Sequence, residues 1–333
     1  MIASMPTVRR FAWLPFTAAA LAFLLSATSW ASPYDVSLYF TVMTLVALAQ
    51  SWNIIGGLGG QFSLANHAFV GVGAYTVAML LLKTGIPVTI AIVAAGFLSA
   101  VVAAIAALPL FRLRGVYFSV GSLAVALAIQ AWMINWNYTG ASTGLNIPIA
   151  QIPQSDGLYR IATILAVGAT LGVYLLLRGQ FGLRLMAVRD DEDAATGLGV
   201  RGFAVKAAAL MLSAFIAGVA GALIALNQIS IEPTTMFGLG FTVNMIVMAI
   251  VGGLGTTWGP VIGVLVVYEG IQQQLQSSPS LSAILTGALL IVIIRFAPGG
   301  LLDLARRVKS LAAHGWRRSH GEDSGTPNPS AVR

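Results

Sequence analysis

Apolar runs, most of them long enough to cross a lipid bilayer, dominate this sequence and decide what it can fold into. A membrane-spanning helix needs roughly 20 mostly apolar residues, and about ten candidate runs follow one another along the chain. Of the 333 residues, 57% are hydrophobic and only 9% are charged, too few charges to cover a globular surface of this size. We therefore predict an all-α polytopic membrane protein with about ten membrane-embedded helices.

The boundaries of the runs define the expected domain organisation. The first run, 11–31, follows Arg9 and Arg10 and is either a signal peptide or, as its length and Trp30 favour, a retained first span. The later runs are predicted at 36–55, 63–82, 86–111, 116–135, 158–177, 204–229, 241–251, 261–275 and 281–296. Because two of them are short for a full crossing, we expect tilted, broken or re-entrant helices around Gly252–Pro260. The expected organisation is an N-terminal segment 1–10, one membrane domain 11–303 and a polar, disordered tail 304–333.

The positions of the basic residues predict the orientation. Lys and Arg are enriched in the cytoplasmic loops of membrane proteins. If the N-terminus is cytoplasmic, alternating spans place all of the 18 basic residues on the inner side except Lys83 and Arg160. One span more or fewer in the middle would scatter the later charges to the outer side. Both termini are therefore predicted to be cytoplasmic.

The most polar internal stretch is RDDEDAATGLGV, from Arg189 to Val200, within an inner connection at 179–205. The acids at 190–193 suit the first turn of a helix, and Gly197 and Gly199 suit its end. The pattern predicts a helix of two to three turns on the water side of the membrane. From the residues alone, this stretch is either a solvated connector or a docking element for a soluble partner.

Glycine and other small residues mark two further features. Gly-Gly-Leu-Gly occurs at 56–59 and at 252–255, both at predicted inner junctions, either by chance or because the architecture is duplicated and broken helices meet near a central pathway. The run after the charged stretch repeats small residues on one face, which lets helix backbones approach closely in lipid. These residues are Ser213, Ala214, Ala217, Gly218, Gly221, Ala222 and Ala225.

Ionisable residues within the apolar runs are scarce, and Glu269 and His67 are the main ones. Such groups must face a pathway, find a partner or lie near the membrane boundary. For Glu269, the neighbouring Gln272–Gln274 favour the outer boundary over a pathway. For His67, the alternatives are a polar path and a hydrogen bond between helices. The candidate translocation-path residues are Gln61, Ser63, Asn66, His67 and Glu269.

Several classes of chemistry have no support in the sequence. There is no cysteine, and we find no H-E-x-x-H or P-loop motif. We therefore predict a protein that is not an enzyme, with no catalytic residues, no metal ligands and no cofactor bound by this chain. An ion-coupled secondary transporter usually needs buried acids, for which only Glu269 is a candidate. An intramembrane enzyme lacks a catalytic constellation.

Short motifs in a fixed order resemble the LivM-type permeases of the branched-chain amino acid ABC importers. The resemblance extends over about residues 36–303. Each motif is weak alone, but together and in this order they are specific. The residues that carry it are Gly60–Asn66, Gly71–Tyr75, Arg112–Phe118, Arg189–Glu192, Ala194, Ala195, Gly199, Ser213–Phe215, Ala217–Gly221, Gly252–Pro260 and Pro298–Leu301.

The resemblance implies a permease subunit in the bacterial inner membrane that imports branched-chain amino acids. It implies as partners a second, homologous permease, two cytoplasmic P-loop ATPase subunits that use ATP, and a periplasmic or extracellular substrate-binding protein. Relatives that import urea, short amides or aromatic acids are the alternative. The polar stretch corresponds to the family's coupling loop, in which Ala194 and Ala195 would pack against the ATPase. The coupling residues are Arg189, Asp190, Asp191, Glu192, Ala194, Ala195 and Gly199.

The chain departs from the family pattern at three positions. Asp193 stands where an apolar residue is usual, Gly197 where alanine is frequent, and His67 where a small residue is usual. The first two changes would loosen the coupling helix.

Overall fold

The computed structural model describes residues 32–304, with the exception of residues 276 and 298 and of the side chains of residues 279 and 296. The predicted N-terminal segment 1–10, the first apolar run 11–31 and the tail from 305 onward lie outside the described residues. Their predictions remain predictions.

Helices form nearly all of the described chain. The helix that begins at Pro33 continues as a π-helix through Asn53–Leu58, and the one that begins at Gly259 continues as a π-helix through Leu265–Gln272. The α-helices are α1 Pro33–Trp52, α2 Asn66–Thr84, α3 Val88–Leu110, α4 Val116–Asn135, α5 Ser155–Arg178, α6 Gln180–Asp190, α7 Glu192–Gly197, α8 Gly202–Gln228, α9 Pro233–Met236, α10 Gly240–Gly252, α11 Gly259–Val264 and α12 Pro279–Phe296. The two connections opposite the α6–α7 end meet in a two-residue antiparallel pair, with β1 (Leu145–Asn146) opposite β2 (Ser230–Ile231).

Seven segments of the described chain are long and apolar enough to cross a membrane, and two shorter apolar helices, Gly259–Gln272 and Ser280–Arg295, follow them. This confirms an all-α polytopic membrane protein. The predicted boundaries of the described runs agree with the helices to within a few residues, and α4 has the predicted bounds.

The interruption predicted around Gly252–Pro260 is present. α10 ends at Gly252, the chain reverses, and α11 begins at Gly259. The two helices pack so closely that a Cβ added at Gly252 would collide with the carbonyl of Gly259, and one at Gly263 with the carbonyl of Met248. The preceding segment is also broken, because α9 and α10 are separate helices.

α8 is the central helix, and its small residues allow α2 and α3 to pack directly against its backbone. A Cβ at Gly73 of α2 would collide with the carbonyl of Gly218, and one at Gly221 with the carbonyl of Val70. On the other side, Gly218 faces Ser99 and the carbonyl of Ala95 in α3. The predicted packing role of the small-residue face is confirmed.

We expect Gly73→Val to destabilise the protein, because the side chain would be forced against backbone atoms of α8 that cannot move aside. Overpacking typically costs about 1–3 kcal/mol, and contact with backbone favours the upper end. Gly172→Val in α5 is the matched control, since no heavy atom lies within 4 Å of the added Cβ. The unfolding temperature of the purified protein in detergent measures both. Equal unfolding temperatures would contradict this account of the α2–α8 contact.

Candidate functional site

The polar stretch forms a short helix, α7, at the position predicted. Asp191 is extended, with φ −155° and ψ 109°, and its carboxylate accepts a hydrogen bond from the Ala194 amide at 2.9 Å. This N-cap starts α7 at Glu192 and satisfies an amide that would otherwise have no partner. The helix ends at Gly197, and Gly199, at φ +86°, turns the chain back. The predicted start and end signals therefore act as expected.

The structure corrects the predicted length of this helix. α7 has six residues, less than two turns, and a separate helix of 11 residues, α6, precedes it. The extended backbone at Asp191 separates the two, because the residue that caps α7 cannot also continue α6. We call Gln180–Gly199 the coupling segment.

The exposed residues of the coupling segment differ from the expected ones. Ala194 is exposed, whereas Ala195 is 3% exposed and packs within its own chain. Leu198, directly after α7, is 88% exposed, which makes it the most exposed large apolar residue of the described chain. The sequence analysis did not single out Leu198. The signal available was an isolated leucine between two glycines in a polar stretch.

An ion pair joins α7 to the first turns of α8. Lys206 Nζ lies 2.7 Å from Glu192 Oε2, and the Lys206 side chain is only 8% exposed, against 33% for Glu192. A buried ammonium must be paired, so loss of either partner would leave a poorly solvated charge. By contrast, the Arg114–Asp193 pair at 3.7 Å joins two highly exposed side chains and contributes little.

Arg189 connects the coupling segment to the first Gly-Gly-Leu-Gly sequence. Its guanidinium donates to the carbonyl of Gly57 at 3.2 Å and to Asp190 at 2.9 Å. Gly60, at φ +65°, packs against the aliphatic part of Arg189. The last turn of α6 is therefore attached to the connection between α1 and α2.

The two Gly-Gly-Leu-Gly sequences contact each other. A Cβ at Gly57 would lie 2.6 Å from the nitrogen of Gly255. The Gly255 amide donates to Asn53 Oδ1 at 2.8 Å, and Asn53 Nδ2 donates to the carbonyl of Thr256 at 3.0 Å. Gln50 Nε2 donates to the carbonyl of Thr257 at 2.7 Å. We call this contact between 50–60 and 252–259 the glycine junction.

The glycine junction gives the repeated sequence a structural role. The duplicated architecture and the central pathway remain predictions. Gln50 and Asn53, both fully buried, are polar residues that the sequence analysis missed. Amide side chains at the end of an otherwise apolar run were the available signal.

Four of the five candidate path residues lie on one connection and the first turn of α2. Ser63 and Asn66 are buried and Gln61 is partly exposed. The Ser63 carbonyl accepts from Trp52 Nε1 at 2.9 Å, and Asn66 Nδ2 donates to Ser213 of α8 at 3.0 Å. His67 is fully buried and its Nδ1 lies 3.0 Å from Thr242 Oγ1 of α10. Of the two alternatives for His67, the structure contains the hydrogen bond between helices.

Glu269 lies elsewhere, in the π-helical part of α11. One turn further on, Gln273 donates to the hydroxyl of Tyr34 in the first turn of α1, at 2.9 Å. Glu269 is partly buried and close to the end of the bundle where α1 begins. This position is consistent with the predicted boundary location, and its function remains a prediction. Among the described residues, no cluster of three or more His, Cys, Asp or Glu could hold a metal ion.

We expect Asn53→Leu to loosen the glycine junction, because it removes three hydrogen bonds and leaves the Gly255 amide and the Thr256 carbonyl without a partner. A buried group left unsatisfied costs about 1–3 kcal/mol. Asn135→Leu is the matched control, since Asn135 is exposed and bonds only the Ala131 carbonyl of its own helix. Unfolding temperatures in detergent should fall for Asn53→Leu alone. An equal fall for both variants would refute the role given to Asn53.

Comparison with known proteins assigns the family. The model of the branched-chain amino acid transport system/permease component family matches residues 34–294. The chain belongs to this family. The match covers every helix of the bundle from α1 to most of α12.

Individual permeases are similar over most of their length. LivM, a high-affinity branched-chain amino acid transport system permease protein of Salmonella typhimurium, is 26% identical over 89% of this chain and 77% of its own length. A probable LivM of Methanocaldococcus jannaschii is 26% identical over 74% of this chain and 77% of its own. LivH of Salmonella typhimurium is 26% identical over 78% of this chain and 91% of its own length. No solved structure matches the chain significantly.

The family and the fold together establish the general role. A permease component with seven apolar helices long enough to cross a membrane is a multi-pass membrane transport protein. The similarity to LivM and the predicted LivM-type resemblance agree.

Proposed function

We propose that this chain is the membrane-spanning permease subunit of an ATP-driven importer of branched-chain amino acids in the inner membrane. The similarity to permeases named for branched-chain amino acid transport supports the substrate class. The main support for the mechanism is the hydrogen bond from Arg189 to the carbonyl of Gly57, which attaches the coupling segment to the glycine junction.

ATP hydrolysis must occur on another subunit, because the sequence has no P-loop. The force generated by that subunit must then reach this chain through a contact between their water-exposed surfaces. Ala194 and Leu198 offer an exposed apolar surface on the coupling segment. A movement of α7 would pass to the central helix α8 through Glu192–Lys206, and to both broken helices through Arg189. This route supports a cytoplasmic ATPase as a partner, and the family resemblance implies two such subunits.

The remaining partners follow from the same proposal. LivM and LivH are both similar to this chain, which supports pairing with a second, homologous permease. A periplasmic binding protein would deliver the solute to the end of the bundle opposite the coupling segment. This arrangement requires the cytoplasmic orientation predicted from the basic residues. None of the proposed partners requires a cofactor bound to this chain.

The docking surface is tested by Leu198→Asp, measured in cells that also contain the ATPase, binding-protein and second permease subunits. We expect loss of ATPase co-purification and of leucine uptake, with the protein still inserted, because Leu198 has almost no contacts to lose within its own chain. Ile149→Asp is the matched control for ATPase co-purification, since Ile149 is 73% exposed on a connection at the other end of the bundle. Normal ATPase binding by Leu198→Asp would exclude this surface. If the wild-type protein binds the ATPase but does not import leucine, leucine is excluded as the substrate.

The orientation is tested with single cysteines, which are unique labels because the chain has none. Thr196 is exposed on α7 and Ser142 is exposed on the connection between α4 and α5. An impermeant thiol reagent applied to intact cells should label Ser142→Cys and spare Thr196→Cys. Gly140 is unsuitable for this purpose because its φ of +80° disfavours any side chain. Labelling of Thr196→Cys alone would reverse the proposed topology.

A further inference from the structure

A basic and apolar surface lies beside the coupling segment, where the turn between α3 and α4 meets the start of α8. Aromatic rings hold its two parts together, because the ring of Phe111 stacks on Phe118 of α4 at 5.5 Å and meets Phe203 of α8 at 6.2 Å between centroids. Three exposed arginines flank these rings: Arg112, Arg114 and Arg201. We call the surface formed by residues 111–117 and 201–203 the arginine patch.

Most of the charge of the arginine patch is not neutralised by the described chain. Neither Arg112 nor Arg201 has an acidic side chain within ion-pair distance among the residues that the structure describes. Arg114 reaches Asp193 at 3.7 Å, but the two side chains are 76% and 83% exposed, so the pair is weak and screened by salt. Glu192, which lines a shallow depression together with Arg201, is already paired with Lys206. The patch therefore attracts an anion.

Large apolar side chains are exposed among these arginines. Val116 and Tyr117 are each 77% exposed, Phe203 is 49% exposed and Leu113 is 39% exposed. Val116 and Tyr117 belong to the first turn of α4, a candidate membrane span most of whose residues are not buried within the protein. The first turn of a span lies at the boundary of the bilayer, where tyrosine is favoured. These side chains therefore have an apolar environment only if lipid covers them.

The arginines lie at the depth of the lipid headgroups. Arg114 precedes α4 by two residues, and Arg201 directly precedes α8, which is also a candidate span. One residue spans at most about 3.6 Å, so both arginines stay close to the boundary at which these spans begin. Basic clusters at this depth bind anionic headgroups, and the arginine fork pairs with phosphate through two parallel hydrogen bonds. An anionic phospholipid matches both the charges and the apolar side chains.

We propose that the arginine patch is a binding site for an anionic phospholipid, whose phosphate bonds with Arg112, Arg114 and Arg201 and whose acyl chains cover Val116 and Tyr117. The exposure of these two side chains on a span favours a lipid over a water-soluble protein. The inference goes beyond the proposed function, because it needs α4 to lie in the membrane but needs neither the substrate nor the ATPase. It places the lipid next to the coupling segment, since the lipid and Asp193 would compete for Arg114.

The site is tested by titrating the purified protein in detergent with phosphatidylglycerol or with phosphatidylcholine of the same acyl chains, observed by native mass spectrometry. The wild type should bind phosphatidylglycerol more tightly, because phosphatidylcholine has no net charge. Arg112→Gln/Arg114→Gln should weaken phosphatidylglycerol binding about fivefold for each arginine removed and leave phosphatidylcholine binding unchanged. Arg178→Gln/Arg184→Gln is the matched control, since both arginines are exposed outside the patch. Equal affinity of the wild type for the two lipids, or an equal loss in both double variants, would overturn the proposal.

A gain of affinity gives a test that does not depend on removing a ligand. Asp193→Ala should raise the affinity for phosphatidylglycerol by up to about fivefold, because it removes the carboxylate that competes for Arg114. Asp156→Ala is the matched control, because Asp156 is exposed in the first turn of α5, far along the chain from the patch. A gain confined to Asp193→Ala supports the site. No gain, or the same gain in Asp156→Ala, overturns it.

Unfolding temperatures and co-purification distinguish the lipid from other partners. Phosphatidylglycerol should raise the unfolding temperature of the wild type more than that of Arg112→Gln/Arg114→Gln, because a ligand that binds only the folded state stabilises it. Without added lipid the two proteins should unfold at the same temperature, since both arginines are exposed. An equal rise with inorganic phosphate would indicate an anion site without a lipid. Loss of ATPase co-purification from the double variant, with unchanged lipid binding, would assign the patch to the ATPase. Either result overturns the lipid site.

Discussion

The fold depends on close contact between helix backbones. Within a bilayer, apolar side chains gain little by leaving lipid for protein, so helices associate through van der Waals packing and hydrogen bonds. Around α8 this packing is possible only because Gly73, Gly218 and Gly221 have no side chains. α2 and α3 therefore lie directly against the α8 backbone. α10, α11 and α12 pack against α1 in a second buried cluster.

The same principle connects the core to the water-exposed end. At the glycine junction, Gly57 and Gly255 let two chain reversals touch, and buried amides from α1 satisfy the backbone groups that the reversals expose. Irregular backbone is tolerated at membrane depth only where such partners exist. Arg189 and the Glu192–Lys206 pair then attach the coupling segment to the junction and to α8. A push on a six-residue helix thus has two short routes into the bundle.

The site could be predicted in part. The run of charged residues predicted the position of α7. The residues that cap and end this helix, Asp191 and Gly199, could also be predicted, because capping is a local interaction. The inward position of Ala195 was not, since a helix of less than two turns has no apolar periodicity from which a buried face can be read. Gln50 and Asn53 were missed because their partners lie about 200 residues away, and no local pattern indicates such a contact.

The sequence by itself determined that the chain is an all-α membrane protein, where its long apolar helices begin and end to within a few residues, and that the polar stretch carries a short helix. These properties depend on the length of apolar runs and on local capping, which neighbouring residues control. Only the tertiary structure decided that the two Gly-Gly-Leu-Gly sequences meet, that Arg189 reaches them, and that His67 of α2 bonds with Thr242 of α10. These are contacts between helices, and the relative rotation and depth of packed helices follow from how their surfaces fit together rather than from any one segment.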